Sequence, residues 1–334
     1  MKRYKGIDLF AGIGGIRLGF DKAFGDSIQT VFASEWDEKA QKTYKVNFSK
    51  DDIEIAGDIT QIDEKDIPSF DICMAGFPCQ PFSVGGKREG FDDDYHGMCR
   101  GTLFLDVARI CDYHKPKVIF CENVKGMVTH DKKRTFQIIK KTFEDIGYKV
   151  FYKVLNSKDF GVPQRRDRIY IVCFRNDIAP ESFVFPVGCG KPVAIKDILE
   201  DKIPINHFIS NQYLSSLRER ENRHKSKGNG FSYQPLDLNG PANTIVCGGS
   251  GHESNLIVDK RTPIDFANCG KDVNTEYIRK MTPREWARLQ GFDDSYKFPC
   301  SDTITYKQLG NSVSVPVIEA IAEKIKEVLN NIDN

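Results

Sequence analysis

The sequence predicts a two-domain α/β protein, with a mostly parallel sheet and a second, smaller domain. Three observations predict it. A strand, a glycine turn and a helix open the chain; several short apolar runs stop abruptly on glycine or on an acidic residue; and 334 residues can bury a sizeable core and suit two domains rather than one.

Residues 5–10 (KGIDLF) read as a strand running into Ala11-Gly12-Ile13-Gly14-Gly15 and then a helical pattern through Ile16, Leu18 and Phe20. Glycines let a backbone approach a ligand, and a helix N-terminus offers free N–H groups to an anion. A dinucleotide fingerprint would need a third glycine where Arg17 stands, which disfavours a nicotinamide oxidoreductase, and no Gly-Lys-Ser/Thr follows for a phosphate loop. The turn therefore suits a smaller anion such as a carboxylate.

The next strands, 30–34 and 53–56, end on Glu35-Trp36-Asp37 and Gly57-Asp58-Ile59. A carboxylate about twenty residues past a glycine turn is placed for ribose hydroxyls. An indole beside it can stack on a purine, and a second carboxylate can accept from an exocyclic amine. Singly, each reads equally as a helix cap or a core tryptophan; together they describe an amino-acid nucleoside.

Residues 70–75 (FDICMA) form a buried strand whose C-terminal end carries GFPCQPFS at 76–83, and ligand crevices in open α/β sheets lie at that end. Pro78 and Pro81 restrict the backbone on both sides of Cys79 and so present its thiol, although a free cysteine also packs as a small hydrophobe. A further apolar run, 118–121, delivers Glu122 to a strand end near Cys79; the competing role is a structural ion pair. In QRRDR at 164–168, the period-2 alternation of the following strand sets Arg166 and Arg168 on one face, or else forms a solvated basic edge. TPRE at 282–285 is a capping box with proline at the first helical position and reads as architecture. Residues 310–313 (GNSV) end an irregular stretch and begin a helix through Val317, Ile321 and Ile325.

Composition fits a soluble, cytoplasmic protein: there is no apolar run of membrane-spanning length and no cleavable signal. Ten cysteines without a C-x-x-C pair argue against a metal site, and Cys73, Cys121 and Cys173 fall in apolar runs typical of reduced cores. With 48 basic against 47 acidic residues, binding to a polyanion must depend on local patches.

DLFAGIGGIRLGF (8–20), GFPCQPFS (76–83), ENV (122–124), QRRDRIYIV (164–172), TPREWARLQGF (282–292) and GNSVSVPV (310–317) occur in the order seen in the DNA cytosine-5 methyltransferases. The chain resembles the small bacterial modification enzymes of that family nearly end to end, apart from about 187–276, where members differ most. The resemblance implies the Rossmann-like fold of S-adenosylmethionine-dependent methyltransferases. Residues 1–186 plus 277–334 would form the catalytic, cofactor-binding domain, and 187–276 the target-recognition domain.

It also implies a mechanism. In the family a thiolate adds to carbon 6 of a cytosine flipped out of the duplex, which makes carbon 5 nucleophilic toward the methyl group of S-adenosylmethionine. Cys79 matches that nucleophile, Glu122 the glutamate at ring nitrogen 3 and the amine, Arg168 the arginine on the carbonyl oxygen, and Arg166 one close to the thiol. For the cofactor the family pattern points to Phe10, Gly12, Gly14, Glu35, Trp36, Asp58, Ile59, Pro78, Leu103, Asn311 and Val313. The partner implied is double-stranded DNA, with room for a cognate restriction endonuclease in the same system, and the protein is expected to be a monomer. DNA contacts fall on Gln80, Ser83, Lys87, Arg88 and Arg100 in a loop that closes over the flipped base, and on Thr244, Gly248 and Gly249.

Two departures stand out. The loop has a few extra residues around 95–99, read as a lengthened surface turn, and Gly85 stands where relatives place a side chain near the evacuated base position. Within 187–276, 11 basic and 11 acidic residues balance, so Arg218, Arg220 and Arg223, in a run with five basic and two acidic residues (218–227), are either a phosphate-contacting arm or a solvated helix end. An RNA methyltransferase on the same scaffold is disfavoured by the large variable region and the wording of residues 81–83. A noncatalytic DNA-binding module is disfavoured because Cys79, Glu122 and Arg168 are all present.

Overall fold

The computed structural model describes residues 3–51, 53–78, 103–228, 233–247 and 255–333, and the backbone of residues 94–95 and 98–99. Its strands are β1 (Tyr4–Leu9), β2 (Ile28–Ser34), β3 (Ile55–Ala56), β4 (Ile72–Ala75), β5 (Asp94–Tyr95), β6 (Met98–Cys99), β7 (Val118–Val124), β8 (Tyr148–Asn156), β9 (Asp167–Arg175), β10 (Leu256–Val258) and β11 (Ile278–Lys280). The helices are α1 (Gly15–Phe24), α2 (Glu38–Asn47), α3 (Leu103–His114), α4 (Gly126–Thr129), α5 (Arg134–Asp145), α6 (Asn211–Ser226), α7 (Pro283–Leu289), α8 (Asp302–Asn311) and α9 (Val315–Asp333).

Seven strands form one sheet in the order β3-β2-β1-β4-β7-β9-β8. The first five run parallel and are nearly all buried, as expected where helices cover both faces of a sheet. β9 and β8 are antiparallel, and β8 closes the edge with exposed Lys149 and Lys153, which discourage pairing with another chain. The reversal at β9 matters for chemistry. Ala75 pairs with both Leu9 and Cys121, so β1, β4 and β7 finish together; β9 starts at that same edge and sets Arg168 opposite Val124.

One sheet face packs against α3 and α5 through Phe104, Val107, Ile110, Phe136, Ile139 and Phe143. The other packs against α1 and α9, where Ile16, Phe20 and Phe24 meet Ile318, Ile321 and Ile325. A third core joins Ile13 and Ala40 to Ala242, Ile245, Trp286, Leu289 and Val315, so part of the 187–276 region shares its interior with the catalytic elements. β10 pairs across residue 276 with β11. Local cores around Leu214, Leu217 and Leu256, and around Phe208 and Val273, complete the insertion.

Strand limits differ slightly from expectation: β2 starts earlier, β4 starts later, and β3 shrinks to two residues. The stretch before residue 310 is not irregular but helix α8, whose Thr303, Ile304 and Thr305 hide its helical pattern. The basic run at 218–227 is the last part of α6 and the residue after it.

The capping box at Thr282 is architectural, as read: Thr282 Oγ1 accepts from the Glu285 N–H at 3.1 Å, and Glu285 Oε2 accepts from the Thr282 N–H at 2.8 Å. Glu285 is also half of a buried charge cluster, since Arg279, fully buried, donates to Glu285 at 2.7 and 2.8 Å and to Asp259 at 2.9 Å. Arg279→Ala leaves the buried Glu285 without its arginine and Asp259 with Arg261 alone, so a loss of about 3–5 kcal/mol is expected by urea unfolding. Burial pushes the Asp259 carboxyl up, but hydrogen bonds from Arg261 and Arg279 outweigh it and hold it at about 2, below the ordinary 3.8. A carboxyl lowered by folding stabilises fully above its unfolded value, and that contribution fades as pH falls toward 2. The stability gap between wild type and Arg279→Ala should therefore close over that window; a gap independent of pH would limit the arginine's role to packing.

Candidate active site

A cavity of about 500 Å³ opens at the edge where β1, β2, β4 and β7 end. One end is built by the turns after β2 and β3. Glu35 is held by both oxygens, which accept from the Gly12 N–H (2.8 Å) and the Asp37 N–H (2.8 Å). Burial raises its carboxyl above the usual range, and those two N–H groups oppose the rise. The glycine turn expected to meet a ligand's carboxylate thus spends one N–H on the protein's own. Trp36 is 60% exposed, an unusual position for an indole unless something covers it. Asp58 combines both readings of it: Oδ1 caps the turn Ile59–Gln61, accepting from the Thr60 N–H at 3.0 Å, while the residue lines the cavity. Arg109 steadies that turn by donating to the Ile59 carbonyl at 2.8 Å.

At the other end lie Glu122, Arg166 and Arg168. Glu122 is buried, with Arg168 Nε 3.1 Å from Oε1. Desolvation raises its carboxyl, while Arg168 and then Arg166 pull it back. Arg166, also buried, donates to the carbonyls of Ile245 (3.0 Å) and Ser312 (2.5 Å). The buried Asn123 donates to the Phe77 carbonyl at 3.2 Å and so fixes the chain just before Cys79.

Ten of the eleven residues expected at a cofactor line this cavity: Phe10, Gly12, Glu35, Trp36, Asp58 and Ile59 from the N-terminal half, with Pro78, Leu103, Asn311 and Val313. Gly14 is the correction. It does not line the cavity; its φ of 83° and the Phe48 ring, 2.3 Å from where a Cβ would sit, show a glycine needed for turn shape and packing. Arg17, at the fingerprint's failed third position, is buried against the Phe48 ring at 4.1 Å and donates to Tyr44 Oη at 3.1 Å.

Cys79, Gln80, Ser83, Lys87, Arg88, Arg100, Gly248 and Gly249 lie outside the described residues. The backbone of β5 pairs antiparallel with that of β6, Asp94 opposite Cys99 and Tyr95 opposite Met98. Arg218, about half exposed, donates to Tyr233 Oη at 3.0 Å and to Glu276 at 2.7 and 2.9 Å. Arg220, one helical position inward, is half-buried, and Arg223 in the last turn of α6 is exposed. Thr244 donates its hydroxyl to the Arg165 carbonyl at 2.6 Å, so that proton serves the protein rather than a phosphate. The sequence reading missed Asn123, and it missed Lys307 and Gln308, which also line the cavity. Lys307 and Gln308 carry no local pattern, and Asn123 lies within ENV with a partner, Phe77, far away in the chain.

The profile of the family described as C-5 cytosine-specific DNA methylase matches residues 4–327. The chain is 51% identical to the type II methyltransferase M.HpaII of Haemophilus parainfluenzae, over 99% of this chain and 91% of that protein. It is 39% identical to the type II methyltransferase M.HhaI of Haemophilus parahaemolyticus, over 97% and 94%. Among solved structures, the Entamoeba histolytica methyltransferase EhMeth superposes with a TM-score of 0.76 at 21% identity, covering 100% of both chains, a likeness of fold.

Proposed function

The chain belongs to the C-5 cytosine-specific DNA methylases and methylates carbon 5 of cytosine in DNA, and on that premise we propose that S-adenosylmethionine fills the cavity while a flipped cytosine meets its Glu122–Arg168 end. The observation that carries this reading is the single cavity running from the exposed Trp36 to the buried Glu122. Its acidic and aromatic end fits a purine nucleoside. Glu35 is oriented for ribose hydroxyls, and Trp36 has a free ring face for adenine. When bound, the cofactor supplies a methyl group on a positively charged sulfur.

The remaining steps belong to the chain. Cys79, which follows the cavity-lining Pro78, adds its thiolate to carbon 6 of the base, and the Glu122 carboxyl gives its proton to ring nitrogen 3 as charge enters the ring. Carbon 5 is thereby made nucleophilic. Arg168 holds both Glu122 and the base carbonyl oxygen. Once carbon 5 carries the methyl group it loses its proton to water, the thiolate leaves carbon 6, and ring nitrogen 3 returns its proton to Glu122. Extracting the base from the duplex costs a few kcal/mol, which binding through residues 187–276 and the closing loop must offset. Arg223 is the α6 arginine best placed to meet a phosphate. The protein is of the restriction–modification type; a cognate endonuclease, a monomeric state and a cytoplasmic location belong to the proposal.

Trp36 and the buried Trp286 are the two tryptophans of the chain, so intrinsic fluorescence reads the site directly. S-adenosylmethionine is expected to quench it. Trp36→Ala should abolish most of the change and weaken binding by about 1–3 kcal/mol, roughly tenfold to a hundredfold, the usual worth of base–aromatic stacking. Unaltered affinity in the variant would remove adenine from this end of the cavity.

A further inference from the structure

Residue 164 belongs to none of the roles assigned so far, yet its side chain joins the 187–276 region to the catalytic elements. Gln164 is fully buried. Its Oε1 accepts from the Ile245 N–H at 3.0 Å, and its Nε2 donates to the Leu289 carbonyl at 2.9 Å and to Gln290 Oε1 at 3.2 Å. The same residue is gripped from its other side, where Arg166 Nη1 donates to the Ile245 carbonyl at 3.0 Å. Gln164 and Arg166 are two apart and both point inward, while Arg165 between them is exposed and pairs by backbone with Ala242 (2.9 Å).

The connection continues to both reactive ends of the cavity. Arg166 also holds the Ser312 carbonyl, between the cavity-lining Asn311 and Val313, and its charge acts on Glu122. Gly310 lets the segment come this close: a Cβ there would lie 2.5 Å from the Cys247 backbone nitrogen. We infer that Gln164 is a positioning residue that sets Arg166 through Ile245, so that the seating of residues 242–247 on DNA and the readiness of the Arg166–Glu122 centre are linked. This inference rests on the proposed function above. A wrong DNA sequence that displaces residue 245 would withdraw Arg166 with it, and discrimination would then appear in the chemical step as well as in binding.

Two variants test it against a purely architectural role. Gln164→Met keeps the volume and loses all three bonds; Gln164→Glu keeps the acceptor and loses the donor until its own carboxyl is protonated. Gln164→Met is expected to lower kcat on cognate DNA at least about tenfold with cofactor affinity within about twofold of wild type. The ratio of kcat/KM for cognate over singly mismatched DNA should fall. The alkaline limb of kcat should move to higher pH, because Glu122 loses the nearby Arg166 charge that favours its ionised form. For Gln164→Glu, activity relative to wild type should recover as pH falls from about 8 to 6, as the buried carboxyl gains a proton and donates to Leu289. Wild-type kcat, pH limb and discrimination in a folded Gln164→Met overturn the inference. If that variant does not fold, a pH-independent ratio for Gln164→Glu overturns it. Failure of the wild-type protein to methylate cytosine would instead strike the reading beneath it.

Discussion

Cys79→Ala is expected to abolish methyl transfer to DNA while S-adenosylmethionine still quenches Trp36 fluorescence as in the wild type. In the proposed mechanism the cysteine acts on the base and the indole on the cofactor, so the two measurements separate. Without a thiolate at carbon 6, carbon 5 of cytosine has almost no nucleophilicity, and the loss should exceed about 4 kcal/mol of barrier, roughly a thousandfold. The chain leading to the cysteine is firmly placed: Phe77 is buried against Phe104 and its carbonyl accepts from Asn123. Removing the thiol should therefore leave the cavity wall intact. DNA containing 5-fluorocytosine, which cannot shed its carbon-5 substituent, should trap the wild type as a denaturation-resistant adduct at Cys79 and leave the variant untrapped. Transfer near the wild-type rate in Cys79→Ala would sink the covalent mechanism.

Glu122→Gln is expected to cost about 10²- to 10⁴-fold in kcat, the usual worth of a positioned general acid. Its buried carboxyl is raised by desolvation and pulled back by Arg168 and Arg166, so it carries its proton to higher pH than an exposed glutamate would. In the proposed mechanism the protonated form does the work, so the wild-type rate should fall as pH climbs through this raised range. Glutamine has no such proton to give. The variant should be slow and should lose that alkaline limb. An unchanged limb in Glu122→Gln would assign it to another group and leave Glu122 a structural partner of Arg168.

Much of the site is legible in the chain because strand ends can be read locally. Phe10, Glu35, Asp58 and Glu122 each follow a short apolar run, and a parallel sheet brings such ends to one edge whatever the details of register. What failed was of another kind. Gly14 and Gly12 stand in the same turn, but only three-dimensional packing tells that Gly14 faces Phe48 and Gly12 faces the cavity. The Arg218–Glu276 pair was not legible either, because the two residues are far apart along the sequence. Asn123 and Gln164 stand inside the ENV and QRRDR segments, yet their own roles were hidden, since their partners are backbone groups of residues 77, 245 and 289.

The packing of α1 on α9 has a consequence for how the molecule comes into being. Phe20 and Phe24 sit on an apolar sheet face that is closed by Ile318, Ile321 and Ile325, yet α1 ends at Phe24 and α9 begins only at Val315. A ribosome adding roughly 5–20 residues per second keeps that face uncovered for on the order of tens of seconds. The opposite face can close much earlier, because α3, α5 and the strands they cover are all complete by residue 175. The nascent chain therefore passes through a half-clad stage in which its N-terminal strands have one finished side and one sticky side. Such an intermediate favours chaperone capture, and aggregation at high expression, over premature activity, because Asn311 and Val313 arrive with the same late segment that seals the core.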